Sequence, residues 1–216
     1  MPLHTNRNIG RDSRLLIWEI AESPEWFLDA LQLDEDELLQ YNGFRTDQRR
    51  VHWLAYRHLL KNVVGKGKQI RVKYDQHSKP FIDLSDEHIS VSHSGRYAAV
   101  ITSKRYRVGI DIERLHSRLH KVAEKFISPE EAYDDIKKLS TDYLCLHWCA
   151  KEALYKLQGE HKLDFRENIR IMHLPPGNEG AFNGRILKDG SANEFQLKAE
   201  KIDDYYLVFA MNKPND

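Results

Sequence analysis

The sequence predicts an α+β fold made of two similar halves with a cleft between them. Two observations carry this. A long helix, then a strand, then a hairpin is predicted twice along the chain, in the same order although the residues differ. A Ser-Pro-Glu helix start also occurs twice, at Ser23-Pro24-Glu25 and at Ser128-Pro129-Glu130. The halves are residues 1–105 and 106–216, joined near Ser103–Arg107.

In the first half, Arg14–Ile20 reads as a strand. Ser23, Pro24 and Glu25 supply an N-cap, a proline at the first helical position and a first-turn acid, opening a helix to about Leu31. Asp34–Tyr41 is a second short helix. Asp47–Val64 is a long one, with Val51, Leu54, Ala55, Leu59 and Val63 at helical spacing and Gly65 as its stop. Gln69–Tyr74 alternates like a strand, and His88–Thr102 reads as a hairpin turning at Ser94-Gly95. In the second half, Val108–Glu113 is a strand, Leu119–Phe126 is helical, and Thr141–Leu157 is a long helix stopped by Gly159. Ile169–Leu174 is a strand, Pro175-Pro176-Gly177 a surface turn, and Glu194–Ala199 with Tyr205–Met211 a final hairpin.

Composition narrows the function classes. The 216 residues are 41% hydrophobic and 31% charged, enough for a buried core. No apolar run approaches the roughly 18 residues of a membrane span. Met1–Ser13 is polar and has no apolar stretch of signal-peptide type. Cys145 and Cys149 lie four apart in a predicted helix and read as buried thiols in a reducing cytoplasm. Net charge is zero, which argues against bulk attraction to nucleic acid or membrane. Charge is nevertheless segregated. Leu15–Phe44 holds eight acids and no Lys or Arg, whereas Arg45–Lys73 holds nine bases and one acid, Asp47. The basic stretch suits a solvated helix or a site for a phosphorylated ligand.

Four segments carry chemistry. In the Val108–Glu113 strand, Val108, Ile110 and Ile112 face the core, while Gly109, Asp111 and Glu113 share the other face. Two carboxylates spaced about 6.6 Å along a strand can converge on one hard cation, with Gly109 leaving room for a ligand. The same pattern also suits an exposed strand face. Trp148, Glu152 and Lys156 fall on one helical face, which fits a site or a surface pair beside a core Trp. Ile89, Val91 and His93 share one strand face, with His93 at a turn as a phosphate ligand or as a cap of its own turn. Ser78-Lys79-Pro80 places a lysine in extended geometry.

In this order, Ser92-His93-Ser94-Gly95, then Gly109-Ile110-Asp111-Ile112-Glu113, then Trp148, Lys151-Glu152-Ala153 and Lys156 together resemble the Sfp-type 4′-phosphopantetheinyl transferases. Lys79-Pro80 and Phe126–Glu131 fit the same pattern, and the resemblance runs from about residue 45 to 165. It implies a pseudo-twofold pair of α+β halves with the active site between them. It also implies Mg²⁺-dependent transfer of 4′-phosphopantetheine from coenzyme A to a serine of an apo acyl or peptidyl carrier protein, releasing 3′,5′-ADP. Asp111, Glu113 and Glu152 then hold the metal. Lys156 and His93 contact the pyrophosphate, Lys79 reaches the 3′-phosphate, and Ser78 and Ser92 complete the coenzyme A site. Glu152, Lys156 and His93 are the catalytic set, with Lys156 serving the leaving phosphate and Glu152 orienting a water that takes the serine proton.

Two departures from the family stand out. Asp34–Phe44 lacks the basic residues that relatives place ahead of the first long helix, so Arg45, Arg49 or Arg50 replaces them, with Arg50 the choice here. Ser78 stands where glycine is familiar. Arg45–Lys73 and Phe126–Tyr133 are candidate docking surfaces for an acidic carrier protein. The expected enzyme is a cytoplasmic monomer with no nucleic-acid or membrane partner. Two rival readings are a metal-dependent phosphohydrolase acting on coenzyme A or nucleotides, and a non-catalytic adaptor binding nucleotide or carrier protein.

Overall fold

The computed structural model describes residues 3–65, 70–132, 135–159 and 163–212. Local signals set most helix ends. Strand β1 (Leu3–Asn8) and β2 (Ser13–Glu19) precede α1 (Pro24–Leu31), whose N-cap Ser23 accepts a hydrogen bond from the Trp26 N–H. Helix α2 (Glu35–Asn42) opens with a capping box between Asp34 and Glu37. Helix α3 (Asp47–His58) is capped by Thr46 and continues through wider turns over Leu59–Val64. Gly65 ends it in right-handed backbone, φ −67°, so its freedom to adopt positive φ is not what stops the helix. Strands β3 (Val72–Tyr74) and β4 (Pro80–Ile82) form a small hairpin. The expected strand start at Gln69 lies outside the described residues. Strands β5 (His88–Ser94) and β6 (Tyr97–Ser103) form the larger hairpin. Ser94 pairs with Tyr97, so the turn is Gly95-Arg96, one residue later than the sequence suggests.

The second half opens with β7 (Val108–Arg114). Leu119–Phe126 is two separate 3₁₀ turns, Ser117–Lys121 and Ala123–Lys125, because Val122 leaves helical backbone at φ −119°. Helix α4 (Pro129–Ala132) is short. The Ser128 hydroxyl is buried with no hydrogen-bond partner among the described residues, and the Glu131 carboxylate closes this helix start on the Ser128 N–H instead. Helix α5 (Thr141–Gln158) runs from the cap Ser140 to Gly159, which takes the left-handed conformation at φ 73°. Helix α6 (Phe165–Asn168) leads into β8 (Ile169–Ile171), shorter than expected, followed by β9 (Gly180–Lys188), β10 (Ser191–Ile202) and β11 (Tyr205–Met211).

Two antiparallel sheets result, ordered β1-β2-β6-β5 and β7-β11-β10-β9-β8. The order β2-β6-β5 in the first matches β7-β11-β10 in the second. In each, the opening strand pairs with the last strand of the hairpin. The near-continuous apolar run of β2 has a physical cause, because both of its faces are covered. Leu16 and Trp18 pack with Trp53 and Leu54 of α3, while Leu15 and Ile17 pack with Val108, Ile110 and Ile112 of the other sheet. The outer face of the second sheet is covered by α5 through Leu146, Ala150 and Leu154. The layers are therefore helix, sheet, sheet, helix. No helix among the described residues is long and apolar enough to cross a membrane.

Gly109 is a correction. A Cβ there would lie 2.0 Å from the Ala153 carbonyl oxygen and 2.7 Å from the Leu157 nitrogen. The glycine makes room for α5, not for a ligand. Gly109→Ala is therefore expected to cost about 3 kcal/mol of folding stability, because the obstruction is helix backbone that cannot swing aside. Urea unfolding checks this, and a loss under about 1 kcal/mol would contradict the packing.

Candidate active site

The site lies where the sheets meet. Strand β5 is an edge of the first sheet and β7 an edge of the second, and the two are not paired with each other by backbone bonds. Side chains join them. The N–H groups of Ile110, Ile112 and Arg114 donate to the hydroxyls of Ser90 (3.1 Å), Ser92 (3.2 Å) and Ser94 (3.2 Å). Two of these hydroxyls donate onward, Ser92 to Asp111 Oδ1 at 2.7 Å and Ser94 to Glu113 Oε1 at 2.9 Å. Sequence reasoning weighed the opposite face of β5, where Ile89 and Val91 join the core and His93 turns to the cleft. The missed signal was a serine at every second position, 90, 92 and 94.

Helix α5 closes the site from the other side. The Lys156 ammonium donates to Asp111 Oδ1 (2.7 Å), the Ser92 hydroxyl (3.1 Å) and the Ile110 carbonyl (3.1 Å). Asp111, Glu113, Glu152, Lys156, Ser92 and His93 line one cleft of about 480 Å³. Ser78 and Lys79 line it too, from the β3–β4 turn. Burial, followed by the Asp111 charge, pushes the Glu152 carboxyl up to about 7. Burial likewise raises Glu113. His93 is pushed down to about 3, first by burial and then by the charges of His52, Arg49 and Lys156. Burial, followed by the Arg107 charge, lowers Lys79, whose ammonium donates to the Leu157 carbonyl at 3.3 Å.

The three acids fit a hard divalent cation. Asp111 Oδ2 is buried with no hydrogen-bond partner among the described residues, and burial, followed by the Asp111 charge, raises the Glu152 carboxyl toward neutrality. Among the described residues no three acidic, histidine or cysteine side chains already converge on one point, and Asp111 Oδ1 pairs with Lys156.

The description "4′-phosphopantetheinyl transferase superfamily" matches residues 107–210, which carry Asp111, Glu113, Glu152 and Lys156. The match covers just under half of the chain. It is 33% identical over 112 residues to 4′-phosphopantetheinyl transferase Sfp of Bacillus subtilis (strain 168), covering 47% of this chain and 49% of that one. It is 34% identical over 121 residues to a second Bacillus subtilis 4′-phosphopantetheinyl transferase, covering 50% and 53%. It is 28% identical over 162 residues to 4′-phosphopantetheinyl transferase HetI of Nostoc sp. (strain PCC 7120), covering 67% and 68%. The chain thus spans about half the length of the two Bacillus relatives.

The arginine expected at the cleft shifts by one residue. Arg50 does not line the cleft, because Asp47 (2.9 Å) and the Tyr41 ring hold its guanidinium. Arg49 lines the cleft and donates to His93 Nε2. Part of the basic stretch is spent on nearby acids. Arg57 and Lys61 converge on Glu37, Arg71 reaches Asp34, and Lys73 meets Asp83. Lys66 and Lys68 lie outside the described residues. The Phe126–Tyr133 segment is also less open than expected. Phe126 and Ile127 are buried, the Phe126 ring packs edge-on against Trp148, and Tyr133 lies outside the described residues. Behind Glu152, the fully buried Lys151 binds Glu131 (2.7 Å) and the carbonyls of Phe165 and Ile169, anchoring this turn of α5.

Ser78 adopts φ +57°, a left-handed conformation that glycine takes freely, which explains the familiar glycine. A non-glycine residue loses about 1–2 kcal/mol there, against about 0.5–1 kcal/mol of added chain entropy for glycine. Ser78→Gly is accordingly expected to raise stability by about 0.5–1 kcal/mol in a thermal or urea melt. A destabilised variant would show that the serine side chain holds the turn.

Proposed function

We propose that this protein transfers the 4′-phosphopantetheine group of coenzyme A to a serine of an acyl or peptidyl carrier protein. The observation that carries this reading is the meeting of Asp111, Glu113 and Glu152 with Lys156 in one cleft at the seam between the sheets. Ser92 and His93 come from residues 1–105 and the acids and Lys156 from 106–216, so we read the two halves as one catalytic unit. With both halves in one chain and two free buried thiols, a cytoplasmic monomer is the accompanying reading.

The serine oxygen attacks the pantetheine-side phosphorus of coenzyme A. The bond from that phosphorus to the bridging oxygen breaks, and 3′,5′-ADP leaves with the electron pair. Lys156 donates to the leaving phosphate as charge builds on it. Glu152 orients a water that receives the serine proton. Lys79 and Arg49 supply fixed positive charge to the substrate phosphates. Asp111, Glu113 and Glu152 would hold Mg²⁺. Bound there, Mg²⁺ would neutralise the phosphate oxygens during transfer.

Intact-mass spectrometry of apo carrier proteins incubated with the protein, coenzyme A and Mg²⁺ tests the reading. One added phosphopantetheine is expected, abolished by EDTA and reduced roughly a hundredfold or more by Asp111→Ala. Coenzyme A consumed with no carrier modified would replace the transferase with a hydrolase. Full activity of Asp111→Ala would overturn the metal assignment.

A further inference from the structure

His52 is not one of the residues quoted for the family resemblance, and it packs behind His93, which lines the cleft. It is only 5% exposed. Its Nε2 lies 2.7 Å from the Gly95 carbonyl oxygen. A carbonyl only accepts, so this nitrogen carries the proton. The bond ties α3 to the turn that follows His93. The His52 ring also stacks on His93, with centroids 4.5 Å apart and planes 23° from parallel. The Tyr56 ring lies within 8° of the His93 plane, at 6.5 Å. One turn before His52, Arg49 donates to His93 Nε2. An arginine only donates, so His93 accepts through Nε2 and is neutral in this arrangement. His93 therefore brings no positive charge of its own to the cleft. It holds the residue that does.

We propose that His52 is a positioning residue for phosphate recognition: it fixes the plane of His93, and His93 in turn holds Arg49 in the cleft to grip a phosphate of coenzyme A. The proposal rests on the transferase reading and assigns that reading a relay of three side chains. An apolar residue at position 52 would fill the same space and lose the bond to Gly95. A glutamine would keep a donor for Gly95 and lose the stack.

Calorimetric titration with coenzyme A, without carrier protein, tests the relay in wild type, His52→Phe, His52→Gln and Arg49→Met, each checked for folding by circular dichroism. Two variants at position 52 keep the test usable where one misfolds. Coenzyme A is expected to bind roughly five- to tenfold more weakly to His52→Phe and to His52→Gln. In the Arg49→Met background the same His52 changes are expected to add almost nothing, because both act on one contact. A purely structural role would give the same loss in either background, and that additivity would overturn the proposal. So would unchanged affinity in both His52 variants. Failure of wild type to bind coenzyme A would instead bring down the transferase reading, and the relay with it.

Discussion

The structure depends on how two sheet edges are joined without forming one sheet. Strands β5 and β7 each end a sheet, and the outward N–H groups of β7 need acceptors once they are shielded from water. Serine hydroxyls supply them at three alternate positions. A hydroxyl can accept and donate at once, so Ser92 and Ser94 take a backbone N–H and pass a hydrogen bond to Asp111 and Glu113. Each bond is worth only about 1 kcal/mol net. Their consequence is geometric, since the bonds that join the halves also aim the carboxylates.

Electrostatics follow from the same arrangement. The chain is neutral, and part of the basic block pairs with the acidic one through Glu37 and Asp34. Among the described residues, the cations that line the cleft have specific partners: Lys156 against Asp111, Lys79 against the end of α5, and Arg49 against His93. Acids crowded at one end and cations along the walls suit a ligand that brings several phosphates and a divalent ion. The buried Lys151–Glu131 pair contributes no charge to the cleft and fixes the turn of α5 that bears Glu152.

Much of the fold was legible because its signals are local. Ser23, Asp34 and Ser140 cap helices with their own side chains, and the strand at Val108–Arg114 was readable from alternation. Strand β1 escaped because it is a polar edge with little alternation, and β9 because Gly180, Asn183 and Gly184 weaken its pattern. The candidate site residues came from the resemblance, because type and spacing left each segment open, and all but Arg50 line the cleft. What stayed hidden was tertiary. The choice of Arg49 over Arg50 depends on how α3 is rotated against β5. The close approach at Gly109 depends on where α5 crosses β7, and the serine seam exists only when two non-adjacent strands meet.

Amide hydrogen exchange at β7, in wild type and Ser92→Ala, tests most directly whether the seam holds the carboxylates. The account predicts slow exchange at Ile112 in wild type. In Ser92→Ala it predicts at least roughly tenfold faster exchange there, with the alternate amides that face β11 still protected and the proposed transfer to carrier protein lost. Equal protection of Ile112 in both proteins, with activity intact, would contradict it.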